Sequence, residues 1–293
     1  MSTRWRSWIA VADVVVLGAA MGLVFLRSAQ PISVDEAVRR YRETQPTVSD
    51  VKVRPTRPSR STDHPAVLQG PTTPKASPKE TRSRAAGSPG APTLPGEGVY
   101  VYGTSGWEQV SMPGGRHDYP ASTTITVRHA GCGVTTRWDA LVERWDERET
   151  CPSAEGEQLR SLTSYHEFFR HGERLVYRCR AGSMARPSTA QARARWSGAC
   201  DSDGSAARFQ GVVIGRERLS VGGRQVETVH IRVDTSISGD TTGTNVHEDW
   251  LLPDSGLLIR EISITDADVR GPFGTVHYKE HYELALASLE PRT

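Results

Sequence analysis

Four cysteines, nine histidines and a scatter of carboxylates are the groups in this 293-residue chain whose chemistry is worth weighing first. Cys132, Cys151, Cys179 and Cys200 include no Cys-x-x-Cys pair, the spacing a thiolate zinc site uses, so a metal is not indicated. Neighbour pairing, Cys132–Cys151 and Cys179–Cys200, would close two loops of about twenty residues as structural disulfides. His277 and His281 fall on one face of an alternating run, about 13 Å apart if it is a strand, too far to share an ion. His247 and Asp249 share a strand face and could pair, with His230 across a hairpin; a solvated polar face accounts for them equally. Asp139, Glu143, Asp146 and Glu147 supply carboxylates, with nothing to mark an acid–base couple. Gly239-Asp240-Thr241-Thr242-Gly243 has the letters of an aspartyl-protease motif in the wrong order and reads as a hairpin turn. No nucleophile elbow, His-Glu-x-x-His or phosphate loop occurs. The expectation is a chain with no enzymatic activity, cofactor or metal.

Aromatic residues carry the better functional idea. Trp145 and Trp196, together with the seven candidate lining residues Tyr100, Tyr102, Trp107, Trp138, Trp250, Tyr278 and Tyr282, exceed what a few hairpins need. Gathered on a concave apolar sheet face, they would line a site for a lipid or another apolar ligand. The competing reading is that the same rings fill a core.

These residues must be positioned by strands. Val226–Asp234 alternates, with Val229, Ile231 and Val233 on one face. Thr244–Leu252 follows the Gly-Asp-Thr-Thr-Gly turn, with Val246, Trp250 and Leu252 on one face. Pro253-Asp254-Ser255-Gly256 is a second turn, before Leu257–Thr265. Asp266–Gly274 reads as a loop and Thr275–Leu284 as a last strand, with Val276, Tyr278, Tyr282 and Leu284 on one side. Alternating runs joined by turn residues describe an antiparallel meander with one buried face. Earlier strand candidates are Gly98–Val110, Thr123–His129, Gly133–Asp146, Glu173–Arg180 and Ala207–Val221. Glu157–Arg170 is ambiguous between strand and helix, and Ser183–Ala194 between helix and loop. The fold class is mainly β: a curved antiparallel sheet.

The chain ahead of this domain has a different character. Trp8–Leu26 is almost wholly apolar, about the length needed to cross a bilayer. Cutting after Ala29 would put Arg27 at −3, where a cleavage site wants a small residue, so the segment reads as a permanent anchor. Arg4 and Arg6 favour an inside N-terminus, while Arg27, Arg39, Arg40 and Arg42 argue the reverse. The short basic leader and the cysteines tip the expectation to a single-pass cell-membrane protein with its C-terminal domain outside. Ser33-Val34-Asp35-Glu36 is a capping box, with Val34, Ala37, Val38 and Tyr41 at helical spacing after it. That helix would lie on lipid, pack on a partner protein of the cell envelope, or stand solvated. From Pro46 to Glu97 ten of the eighteen prolines mix with Ser, Thr, Lys and Arg. Such a stretch buries too little apolar area to fold. The organisation is therefore an anchor over 1–32, a juxtamembrane helix over 33–45, a disordered linker over 46–97 and an extracytoplasmic β domain over 98–293. Acidic residues outnumber basic ones from Gly98 onward, so there is no nucleic-acid footprint.

The run from Trp250 to Arg260 reads Trp-Leu-x-Pro-x-Ser-Gly-Leu-x-x-Arg, through Trp250, Leu251, Pro253, Ser255, Gly256, Leu257 and Arg260. It resembles the central hairpin of bacterial extracytoplasmic half-barrel domains, the lipoprotein-carrier fold and mycobacterial lipid-binding lipoproteins among them. The anchor, the Ser-Val-Asp-Glu-Ala helix and the Pro-rich spacer resemble membrane-anchored actinobacterial proteins. That resemblance implies a lipoprotein-carrier-like half-barrel that binds or senses a lipid. The alternative is an interaction module acting with a membrane partner.

Overall fold

A computed structural model of the chain describes residues 29–45, 93–187, 191–271 and 274–293. The expected anchor at 8–26 and most of the expected linker lie outside the described residues. Among those described, no helix is long and apolar enough to cross a membrane.

Alternating sequence becomes strand nearly throughout. The strands are β1 (Gly98–Val110), β2 (Arg116–Asp118), β3 (Ser122–Ala130), β4 (Gly133–Asp139), β5 (Arg144–Pro152), β6 (Gly156–Phe168) and β7 (His171–Cys179). They continue as β8 (Met184–Pro187), β9 (Arg195–Asp201), β10 (Ser205–Val221), β11 (Arg224–Gly239), β12 (Thr241–Leu251), β13 (Leu258–Gly271) and β14 (Gly274–Leu286). Twelve form a closed antiparallel barrel in the ring order β1-β3-β4-β5-β6-β7-β9-β10-β11-β12-β13-β14, with β2 and β8 as additions.

The sheet is thus closed, where the sequence led us to expect an open half-barrel. Closure is made by β14 against β1, in register from Tyr102↔Leu286 to Val110↔Tyr278. Pairing the last strand with the first leaves no edge there for another chain to join. The region expected as a loop, Asp266–Gly274, instead extends β13, because Asp266 to Arg270 stay in register with Lys279 to Thr275. The ambiguous Glu157–Arg170 stretch is the strand β6 and the turn after it.

One seam is thin. β7 and β9 share only two residue pairs, Arg178↔Asp201 and Cys179↔Cys200. The second pair is also a disulfide, with its Cα atoms 3.8 Å apart. The other disulfide joins Cys132, in the β3–β4 turn, to Cys151 on β5, at a Cα separation of 5.3 Å. Both bridges pair neighbours in sequence, as expected.

Beside that seam, β9 and β10 interlock through glycines. Trp196 covers Gly211 and Phe209 covers Gly198, each across the strand pair. A Cβ on Gly211 would come within 2.0 Å of the Trp196 ring, so only glycine fits under the indole.

The helix α1 (Val34–Glu43) starts at Ser33, whose Oγ accepts from the Glu36 amide at 3.2 Å. Glu36 does not reach back to complete the box; its carboxylate pairs with Arg39 and Arg40. The apolar stripe Ala37, Val38 and Tyr41 is buried with Ile32 and Val99 of the barrel. Arg128 lies over the Tyr41 ring at 4.7 Å, and Arg42 donates to the Thr293 carbonyl at 2.7 Å. The helix therefore spends its apolar face on its own barrel, and presents neither lipid nor a partner with the stripe the sequence singled out.

Candidate functional site in the barrel interior

The inward faces of the strands line a partly open cavity of about 440 Å³. Two apolar clusters bound it. One gathers Tyr102, Ile125, Val127 and Trp138 from β1, β3 and β4. The other gathers Tyr177, Ala207, Ile231 and Leu251 from β7, β10, β11 and β12. Between them stand charged groups that the sequence did not place there, while most of the lining surface is apolar.

The seven aromatics divide by strand alternation. Tyr102, Trp138, Tyr278 and Tyr282 line the cavity. Tyr100, Trp107 and Trp250 do not. Tyr100 is core, its hydroxyl donating to the Gly96 carbonyl at 3.0 Å. Trp107 neighbours the inward Glu108 and so turns outward, under the Arg116 guanidinium at 4.5 Å. Trp250 lies between the cavity-lining Asp249 and Leu251 and faces the other way, stacked on His230 at 4.1 Å. The apolar face assigned to this strand from sequence, with Val246, Trp250 and Leu252, is thus its outer face. Asn245, His247, Asp249 and Leu251 point inward.

A first polar cluster sits near one end of the barrel. Arg144, buried at the start of β5, donates to Glu280 Oε1 at 2.9 Å and Asp146 Oδ2 at 2.6 Å. Its Nε also lies 3.9 Å from Glu108 Oε2. Glu108 accepts from His117 Nδ1 and His166 Nδ1, both at 2.9 Å, and from the Tyr278 hydroxyl at 3.2 Å. Burial pushes the Glu108 carboxyl up, but these hydrogen bonds and the Arg144 charge outweigh it and hold the group down at about 2. Tyr119 donates to Glu280, its own ionisation pushed far above the usual range by burial and the neighbouring carboxylates. Phe168 stacks on His117 at 4.6 Å, so β2 and β6 are tied by rings beside this cluster.

A second cluster lies deeper. Asp249 and Glu261 face each other across the β12–β13 pair. Glu261 accepts from the Tyr282 hydroxyl at 2.7 Å, and His247 Nε2 stands 3.7 Å from Asp249. Burial is the main force on all three. It raises Asp249 to about 6 and, with the Asp249 charge, Glu261 to about 7. It lowers His247 to about 4, with Arg148 adding to the effect. Such shifts mark a site where charge is taken out of water.

The sign of the resulting pH dependence follows. A carboxyl raised in the fold holds its proton more tightly there than in the unfolded chain. For Glu261 that stability is fully present below the usual 4.5 and is lost as pH rises through about 7. Glu261→Gln keeps an acceptor for Tyr282 without the charge. It should raise the melting temperature relative to wild type near pH 8 and leave it unchanged near pH 4. Equal melting temperatures at both pH values would show that this carboxyl is not raised.

Sequence reasoning paired His247 with Asp249, as found, and noted Asp146 apart from them; His230 instead bonds Glu217 and Glu248, and Glu108, Arg144, Arg148, Glu261 and Glu280 were missed. Glu280 was legible, since it shares the phase of Tyr278 and Tyr282. His277 lies on the outer face with Asp266 and Asp268, and forms no site with His281. As a metal centre the barrel offers little. Among the described residues the only clustered donors are Cys132, Glu149 and Cys151, and the two cysteines are already bonded to each other.

No known protein family and no curated protein sequence matches the chain. One solved structure shows a partial likeness, a hypothetical lipoprotein, YmcC, from Escherichia coli. It is 9% identical, with a TM-score of 0.30, over 61% of this chain and 85% of its own. A likeness that slight carries no argument, and the reading rests on the geometry above.

Proposed function

We infer that this chain is a non-enzymatic binding protein of the cell envelope whose barrel interior holds one small ligand with an apolar body. The carrying observation is the partly open cavity of about 440 Å³, walled by two apolar clusters with polar groups between them. That volume is toward the small end for ligand pockets, fitting a single chain or ring system rather than a two-chain lipid. Two structural disulfides suit an oxidising compartment. The expected anchor at residues 8–26 would hold the barrel at the outer surface of the membrane. An interaction module built on α1 loses its motive, since the apolar face of α1 is buried against β1 and β3. Solvent extraction of the purified full chain, followed by mass spectrometry, tests the reading. A single-chain or ring-bearing compound in stoichiometric amount supports it; an empty extract from material purified without detergent opposes it.

A further inference from the structure

Among the described residues, the carboxylates with the least exposed side chains are Glu108, Asp139, Glu280 and Asp249, and the first three are matched to basic side chains. Glu108, Asp139 and Glu280 each have a histidine or arginine nitrogen at 2.9 Å. Asp249, 2% exposed, has only His247 at 3.7 Å. Burial keeps that imidazole neutral at ordinary pH, so it supplies no charge. Asp249 Oδ1 is buried and has no hydrogen-bond partner. Directly across the strand pair, Glu261 has Tyr282 on one oxygen. Arg148 faces the pair from β5, on the opposite wall of the ring, and makes no ion pair with either carboxyl among the described residues. An acceptor left unmet in a low-dielectric interior is costly, and a donor that arrives with its own charge relieves the cost.

We propose that Asp249 and Glu261 form the head-group site of the cavity, and that its ligand is a primary amine, carried as an ammonium on an apolar body. This rests on the reading of the barrel as a ligand-binding cavity. An ammonium brings three donors, matching the free Asp249 Oδ1, the second Asp249 oxygen and Glu261. The apolar body would lie on Ile231, Leu251 and Leu258 beside them. A divalent metal is a poorer match, because His247, Asp249 and Glu261 do not converge as a three-ligand cluster. A carboxylate ligand would meet Arg148 only at the expense of facing two acids.

The groups that face the pair set its response to pH. They are His247 from β12, Tyr282 from β14, Arg148 from β5 and His230 from β11. Of these, His230 is already hydrogen-bonded to Glu217 at 2.8 Å and Glu248 at 2.9 Å. Acid titrates Asp249 and Glu261 themselves, and so removes the charge that holds an ammonium.

The test uses the full chain in phosphatidylcholine nanodiscs, titrated calorimetrically against an empty-disc blank. The probes are phenylbutylamine, phenylbutanol and phenylbutyrate, which share one apolar body. Near pH 8 the amine should bind roughly tenfold or more tighter than the alcohol, as a charge-assisted bond provides. Near pH 5 that advantage should disappear. Asp249→Asn with Glu261→Gln should bring the amine down to the alcohol. An amine no better than the alcohol, or a carboxylate better than both, overturns the proposal. Failure of all three probes to bind rejects the cavity reading itself.

Discussion

Arg144→Met should destabilise the barrel by about 3–5 kcal/mol, the usual cost of removing one partner from a buried ion pair. Arg144 is 2% exposed and donates to both Glu280 and Asp146, with Glu108 at 3.9 Å. Without it Glu280 keeps only the Tyr119 hydroxyl, and Asp146 has only Ser164 and His166 to offset its burial. Urea unfolding of the single variant beside Arg144→Met with Glu280→Gln separates lost packing from stranded charge. The double variant should recover much of the loss, because the carboxylate that needed the cation has gone. A single variant within about 1 kcal/mol of wild type would mean that the cluster is wetter than its geometry indicates.

Replacing Cys179 and Cys200 by alanine should cost about 3 kcal/mol in the chain-entropy account of a loop near twenty residues. The same account assigns a similar loss to the Cys132–Cys151 pair. Hydrogen exchange should tell the two apart. Cys179–Cys200 supplies one of only two residue pairs between β7 and β9. Its removal should open the ring there and speed exchange along β7 and β9. Cys132–Cys151 ties the β3–β4 turn to β5, where β4 already pairs with both neighbours over six or more residues. Its loss should leave β7 protected. Equal exchange in the two double variants would contradict the thin-seam description.

Local signals account for what the sequence made legible. Gly98–Val110 forms the strand expected of it, Gly133–Asp146 breaks into β4 and the start of β5, and both disulfides join sequence neighbours. The β6–β7 hairpin stayed hidden because its turn uses Phe169 and Arg170 at φ 54° and 67°, where an Asn-Gly pair would have announced it. Closure was invisible because β1 and β14 meet across almost the whole domain. The site was missed for a more instructive reason. On β12 the larger apolar residues, Val246 and Trp250, lie on the outer wall, while His247 and Asp249 turn inward. Choosing the inward face by hydrophobicity therefore inverts this strand. Trp250 is buried nonetheless, in the apolar cluster that holds Leu257 and Ile259.

The most direct test of the account is native mass spectrometry of the full chain, released from nanodiscs, beside Ala207→Trp. Ala207 is 7% exposed and lines the cavity from β10, so an indole there occupies space a ligand needs. The account predicts one small molecule per wild-type chain and none on the variant, with both giving the same β-rich circular dichroism. Two equally empty chains, or two equally loaded ones, would contradict it.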